Sequence, residues 1–276
     1  MVQSYCANEL KLNDYERYLS ALFIPYQHRE AVFTIYAFNS EVSRTREMVS
    51  EAMLGEIRLQ WWRESLQKIS QNEIIENPIL NSLRKTLFYY DLPIVYLEKL
   101  LDARLNDLKN TPPKDLKSLV DYARDTSGTL GVMVMKILGF NDTVSIRVAD
   151  LVSTAWALIG LIRAIQFHAQ SKRIYLPSKL LIKNNVDNIS IFSLQSSPEL
   201  SSVVSEVLGK ASDLLSEARS LRSEVPRTAR KALLLGSLAD CYLKDIIRAK
   251  YDPFALRKLG LKLSTSLIVS SILNRY

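Results

Sequence analysis

The chain has 276 residues, 47% of them hydrophobic and 24% charged, with a formal net charge of +7 and a pI near 9.3. These are globular proportions, and eight Gly with nine Pro argue against an all-β or loop-rich fold. Two cysteines, Cys6 and Cys241, make no disulfide framework, and with only His28 and His168 beside them they show no zinc-ligand spacing.

In chain order, Asn13 or Asp14 is placed to cap a helix through YERYLSALF, with Tyr15, Tyr18, Leu19 and Leu22 at helical spacing and Pro25 interrupting it. A second helix is predicted from Arg29 to about Val49, and a third from Met53 to Ser70. Asn77-Pro78 and Leu92-Pro93 open two more, and Thr111-Pro112-Pro113 is a break. Asp115 or Ser118 starts a helix reaching Asp125. Ser127-Gly128-Thr129-Leu130-Gly131 then lets backbones approach closely before VMVMKIL, which Gly139 ends.

Thr143 to about Ala169 reads as one long buried central helix. Its apolar stretch falls short of the ~18 residues of a membrane span, because Ser153 and Thr154 interrupt it and Arg163 ends it. Residues 182–200 read as a loop with one short helical turn. Ser201–Glu224, Thr228–Lys250 and Pro253–Asn274 complete the set as amphipathic helices, the last basic at its start and apolar toward its end. The whole is an all-α, single-domain fold of ten or so helices over 1–276. The N-terminus lacks a signal-peptide or transit-type segment, so the chain as given reads as cytosolic.

A positive balance suits an acidic partner, a phosphorylated small molecule or an anionic membrane surface. No basic run or stacking-aromatic motif supports nucleic acid. The central helix carries no Asp or Glu between Asp150 and Asp187, so it offers no carboxylate for a metal clamp. It offers Arg163, Gln166, His168, Lys172 and Arg173 instead. Arg163 in an apolar run needs a partner. Either it pairs with a carboxylate such as Asp107 or Glu47, or it lines an anion pocket with Lys172 and Arg173. Ala164 and His168, four apart, share a face, and His168 reads as a hydrogen-bonded structural residue rather than a base. Of Trp61-Trp62, flanked by Arg58 and Arg63, one ring is expected in the core and the other partly exposed.

These residues resemble the squalene/phytoene synthase family, the head-to-head prenyltransferases. Tyr36-Ala37-Phe38 matches the signature that precedes DDxxD in active members, and the DDxxD positions fall here on Ser43, Arg44, Thr45, Arg46 and Glu47. The second family motif, R-D-x-x-x-D followed by G-R-x-Y-L-P, matches Arg163, Ala164, His168, Lys172, Arg173, Tyr175, Leu176 and Pro177. LLDARLNDL, containing Asp107, and SGTLGVMVMKILG also look like family segments, so the likeness covers nearly the whole chain. YERYLSALFIP, YAFNSEV, VSEAMLGEIRLQWWRESL and RAIQFHAQSKRIYLP are similar to the branch that holds complex I assembly factor 6 and its bacterial relatives.

The resemblance implies an isoprenoid-synthase-type helical bundle around a central cavity. It implies an anion or substrate site at Arg44, Glu47, Arg163, His168, Arg173 and Tyr175. The metal positions Ser43, Glu47, Ala164 and His168 are degenerate. Ionising an allylic diphosphate requires Mg²⁺ to stabilise the leaving pyrophosphate. With most clamp aspartates replaced, no catalytic residue and no cofactor is expected, and Mg²⁺ enters only if the chain is a prenyltransferase after all. The expected role is non-catalytic, in respiratory complex I assembly or associated lipid or isoprenoid handling. The expected partners are respiratory-complex subunits or assembly proteins, a prenyl diphosphate or lipid, and the membrane periphery. The expected location is the bacterial cytoplasm at the inner membrane, or the mitochondrial matrix side for a processed eukaryotic form.

Overall fold

The computed structural model describes residues 3–109, 111–257 and 259–276. Among them every regular element is helical. The first half holds α1 (Tyr5–Asn13), α2 (Tyr15–Ala21), α3 (Tyr26–Ser43), α4 (Ala52–Ser70), α5 (Pro78–Tyr89) and α6 (Val95–Arg104). A 3₁₀ turn (Leu105–Leu108), α7 (Leu116–Ala123), a π turn (Arg124–Gly128) and α8 (Thr129–Ile137) follow. The second half holds α9 (Thr143–Arg163), α10 (Ile165–Gln170), α11 (Ser178–Lys183), α12 (Asn188–Phe192) and α13 (Pro198–Ser220). A 3₁₀ turn (Ala229–Leu233), α14 (Leu235–Arg248) and α15 (Leu261–Ile272) end the chain.

The helix starts follow from side-chain caps that satisfy otherwise orphaned backbone N–H groups. The Asp14 carboxylate accepts from the Arg17 amide, Asn77 caps α5 with Pro78 in its first turn, and Asp115, Asp142 and Ser197 cap α7, α9 and α13. Gly139 ends α8 in the left-handed region at φ 86°.

Two apolar clusters meet along α8 and α9. One gathers α1 to α6 with α8, and the other gathers α7 and α9 to α15. The α8–α9 approach depends on two glycines. A Cβ on Gly131 would collide with Ser153 Oγ and stand 2.6 Å from the Ala149 carbonyl oxygen. One on Gly128 would meet Asp150 and stand 2.8 Å from Thr154 Oγ1. Trp62 is buried with its ring edge-on to Phe38, whereas Trp61 is 43% exposed.

Four features differ from the sequence expectation. The helix expected from Arg29 to Val49 is α3, which begins right after Pro25 and gives way to turns at Arg44. The central helix is not continuous to Ala169: it stops at Arg163, Ala164 takes φ −88° and ψ 1°, and α10 resumes. No Gly or Pro marks that break, so apolar periodicity reads through it. The stretch 182–200, read as loop with one short helical turn, contains the end of α11, all of α12 and the start of α13. The final helix occupies only Leu261–Ile272, and Lys258 within the expected span lies outside the described residues. In addition, α9 is long and apolar enough to cross a membrane by length and composition, but two-thirds of its apolar stretch is buried inside the fold.

Candidate functional site

Two polar networks flank the seam between the apolar clusters. The first is centred on Asp107, 5% exposed at the end of the 3₁₀ turn after α6. Its Oδ1 accepts from the hydroxyls of Tyr122 at 2.7 Å and Tyr175 at 2.8 Å, and its Oδ2 from Arg104 Nη1 at 3.2 Å. Arg104 also donates to Tyr122 Oη at 2.8 Å and to Asn39 Oδ1 at 3.1 Å. Burial works against the Arg104 charge, but Tyr122 and Asp107 outweigh it and hold the guanidinium above its ordinary range. Burial likewise keeps the Tyr122 and Tyr175 hydroxyls protonated, well above the usual phenol range.

Arg173 joins this network from the segment after α10. Its Nη2 donates to Tyr175 Oη and stands 4.0 Å from Asp107 Oδ1, and its Nη1 donates to Glu47 Oε1 at 3.3 Å. The arginine side chain is only 8% exposed, against 33% for Glu47. The His168 ring lies 4.6 Å from that of Tyr175, with its buried Nδ1 unpartnered. Burial, with the Arg173 guanidinium adding to it, pushes the imidazole down to about 4.

The second network ties α2 to α9 and α14. Glu16 Oε1 accepts from Arg163 Nη2 at 2.7 Å and from the Tyr242 hydroxyl at 2.6 Å, and the Arg163 guanidinium sits over the Tyr242 ring, 3.4 Å from its centroid. Burial by itself would raise the Glu16 carboxyl, but Arg163 and Tyr242 more than offset it and the net displacement is downward. Arg163 therefore pairs with Glu16 rather than with Asp107 or Glu47.

Between the networks lies a central cavity of about 250 Å³, lined among others by Glu16, Arg17, Asn39, Arg104, Tyr122 and Arg163. Arg17 is held by Asp14 at 2.7 Å and Ser127 Oγ at 2.8 Å, and lies 5.4 Å from the Tyr36 ring centroid. Burial pushes the Tyr36 hydroxyl up to about 12. A separate pocket of about 270 Å³ opens on the other side of Tyr122, between Arg173, Tyr175, Lys109 and Lys114. A third, about 720 Å³, lies under the start of α15 and reaches Glu16, Arg163 and Tyr242.

The expected site residues thus divide. Glu47, Arg173, Tyr175 and His168 come together, whereas Arg163 belongs to the Glu16 network and lines different cavities from Arg173. Lys172 is exposed, with a left-handed backbone at φ 53°. Arg44 is committed to Glu9 and Glu41, each at 2.7 Å, and to Asn13. Ser43 Oγ donates to the Ser40 carbonyl, and Ala164 caps α9. The sequence carried one signal for the Asp107 network, the three-residue spacing of Arg104 and Asp107. It carried none for Glu16, which lies 147 residues from Arg163.

Mg²⁺ does not fit this donor set. Among the described residues no three of His, Cys, Asp and Glu gather where they could hold a metal ion. Of the four frame positions Ser43, Glu47, Ala164 and His168, only Glu47 is a carboxylate, and it is engaged by Arg173.

The squalene/phytoene synthase profile matches residues 10–266. The chain is 28% identical over 274 residues to bovine (Bos taurus) NADH dehydrogenase (ubiquinone) complex I, assembly factor 6, an alignment spanning 99% of this chain and 82% of that protein. Its fold is similar to the crystal structure of squalene synthase HpnC from Alicyclobacillus acidocaldarius, with TM-score 0.78 and 24% identity over 90% of this chain and 94% of the other. A dehydrosqualene synthase in complex with ligand gives TM-score 0.84 and 20% identity over 99% and 96%.

Proposed function

The chain belongs to the squalene/phytoene synthase family, and we propose that it keeps the family's helical frame without its diphosphate chemistry. In this reading it acts in the assembly of respiratory complex I, or in lipid or isoprenoid handling beside it. The observation that carries the reading is internal neutralisation. Arg163 and Arg173, the cations an anionic substrate would need, are each held by a carboxylate of the chain itself, Glu16 and Glu47. An incoming diphosphate has to displace those carboxylates before it gains a charged contact.

The cavity supports the same reading. The cavity between the two networks, at about 250 Å³ and lined by arginines and carboxylates, lies below the ~300–1,000 Å³ of ligand sites, and the 720 Å³ pocket, which lies within that range, is lined by the same paired Glu16 and Arg163. The similarity to a protein named as a complex I assembly factor, over nearly the full chain, gives the role its direction. The proposed partners are complex I subunits or assembly proteins, on the cytoplasmic or matrix side of the respiratory membrane. No cofactor is proposed.

Deleting the gene in its own host and measuring complex I by native gel and NADH dehydrogenase activity tests the role. A loss of assembled complex is expected, and unchanged levels would overturn the reading. Incubating the pure protein with farnesyl or geranylgeranyl diphosphate and Mg²⁺ tests the chemistry. No pyrophosphate release is expected, and turnover would restore the prenyltransferase reading, which the retained Tyr36 and Arg173-Ile174-Tyr175-Leu176-Pro177 positions keep in view.

A further inference from the structure

The helix α15 is apolar on two opposite sides. Leu263 and Leu267 face inward and are buried against the fold. On the outer side Leu261 (84% exposed), Ile268 (49%), Val269 (53%) and Ile272 (73%) recur at i, i+7, i+8 and i+11, one stripe along the helix. Twelve residues rise only about 18 Å, too short for a hydrocarbon core of about 30 Å. The stripe can lie on a bilayer but cannot cross it.

Charge decides what covers this stripe. From Pro253 to Tyr276 the chain contains no Asp or Glu, but it contains Arg257, Lys258, Lys262 and Arg275. Arg248, Arg257 and Lys262 line one depression at the helix start, with Asp245 as the acid among them. Lys244 and Arg275 line another beside Ser266 and Ser270, where Asp240 is held by Arg219 at 2.7 Å. Among the described residues, none of the side chains of Lys244, Arg248, Arg257, Lys262 and Arg275 has an ion pair or hydrogen bond, so their charge is available to a partner. The molecule has a second exposed apolar stripe, Met53, Leu54, Ile57 and Trp61 on α4. There the charges without an ion pair among the described residues are Glu51, Glu56, Glu64 and Lys68, a net negative balance, while Arg58 and Arg63 are tied to Glu41 and Asp102. An anionic surface attracts the α15 side and is repelled by the α4 side.

We propose that α15 is a membrane-docking element whose outer stripe, Leu261, Ile268, Val269 and Ile272, inserts into the headgroup region of an anionic bilayer while Arg248, Arg257, Lys262 and Arg275 contact its lipid phosphates. Apolar insertion plus basic flanks is the combination that holds interfacial helices, and either alone is weak. The docking places the mouth of the 720 Å³ pocket, rimmed by Leu259, Leu261 and Leu263, beside the lipid surface. This deepens the proposed role at the respiratory membrane and rests on it only for its location in the cell.

The test is co-sedimentation of the full chain with vesicles of phosphatidylcholine alone or mixed at about two to one with phosphatidylglycerol. Binding to the mixed vesicles only is expected. Ile268→Asp with Ile272→Asp is expected to reduce it at least tenfold. Arg257→Gln with Lys262→Gln is expected to reduce it by more than tenfold, at roughly fivefold per cation. Ile57→Asp on α4 serves as the control and is expected to change nothing. All replaced side chains are exposed, and thermal melts matching the parent establish that the variants fold. Equal binding to both vesicle types, unchanged binding in the α15 variants, or loss in the α4 variant overturns the proposal. Because the measurement uses pure protein and lipid, its failure leaves the gene-deletion test of complex I assembly standing, and the reverse also holds.

Discussion

Arg173 Nη1 lies 3.3 Å from Glu47 Oε1, 126 residues earlier in the chain, and this pair joins the two segments in which the family's aspartate clamps would face each other. Where two sets of carboxylates would repel unless a cation bridged them, this chain supplies the cation from the Arg173 side chain. The segments are thereby held together by an ion pair of the chain itself.

Removing the acid from that pair leaves a buried guanidinium short of a partner. Glu47→Gln is expected to lower unfolding stability by about 1–2 kcal/mol, because Glu47 is partly solvated and Arg173 keeps Tyr175. The half-exposed Arg44 offers the contrast: Arg44→Gln should cost less than about 1 kcal/mol. Urea denaturation of the two variants checks the ranking. Equal, near-zero losses would mean that the Glu47–Arg173 pair does not hold the segments.

Asp107 is the hub of its network and has the most to lose. Asp107→Asn keeps the shape but removes the charge from a group that accepts from Tyr122, Tyr175 and Arg104. A loss of about 3–5 kcal/mol is expected, the cost of breaking a buried pair. Tyr175→Phe, which removes one link, is expected to cost about 1–3 kcal/mol. The same denaturation series measures both, and an Asn variant as stable as the parent would contradict the hub.

His168 gives the fold a pH dependence of definite sign. Its folded-state pKa of about 4 lies below the unfolded value of 6.5, so the unfolded chain binds more protons between those limits. Its contribution is fully present above about pH 6.5 and is lost as pH falls toward 4, a difference of about 1–3 kcal/mol after allowing for partial exposure. Subtracting the stability-versus-pH curve of His168→Gln from that of the parent isolates the term. A flat difference across pH 4–6.5 would refute it.

The glycines separate into two kinds. Gly131→Ala drives a Cβ against the Ala149 carbonyl and Ser153, where backbone cannot yield, and a destabilisation of about 1–3 kcal/mol is expected. Gly209, inside α13, has nothing within 4 Å of an added Cβ, so Gly209→Ala is expected to stabilise by about 0.5–1 kcal/mol. Thermal melts of the pair should move in opposite directions.

The parts of the fold legible in the sequence are those set by local chemistry. Asn77-Pro78 and Asp115 announce helix starts because a side-chain oxygen and a missing N–H act within one turn. Gly128 and Gly131 announce a close approach because no other residue permits it. The break at Ala164 has no such residue and was invisible. The site was legible as a frame, since Tyr36, Arg163, Arg173 and Tyr175 keep recognisable spacing. Its electrostatics were not, because the partner of Arg163 comes from a different helix and is fixed by tertiary packing rather than by periodicity.

That hidden pairing leads to the sharpest test of the closed anion site. If Glu16 and Glu47 neutralise Arg163 and Arg173, converting both acids to amides should free two cations at once while keeping side-chain volume. Glu16→Gln retains an acceptor for Arg163 and for the Tyr242 hydroxyl, so the second network should stay assembled. Each freed guanidinium then offers a charge-assisted bond, worth about 1.5–3 kcal/mol to an anion. Because the two arginines line different cavities, calorimetric titration with inorganic pyrophosphate is expected to show binding at least tenfold tighter than the parent in each single variant, and two such sites in the double variant. The gain should shrink as salt is raised, since it is electrostatic. Unchanged affinity in a folded double variant would mean that the two arginines are not accessible to an anion even when unpaired. The internal carboxylates would then not be what closes the site.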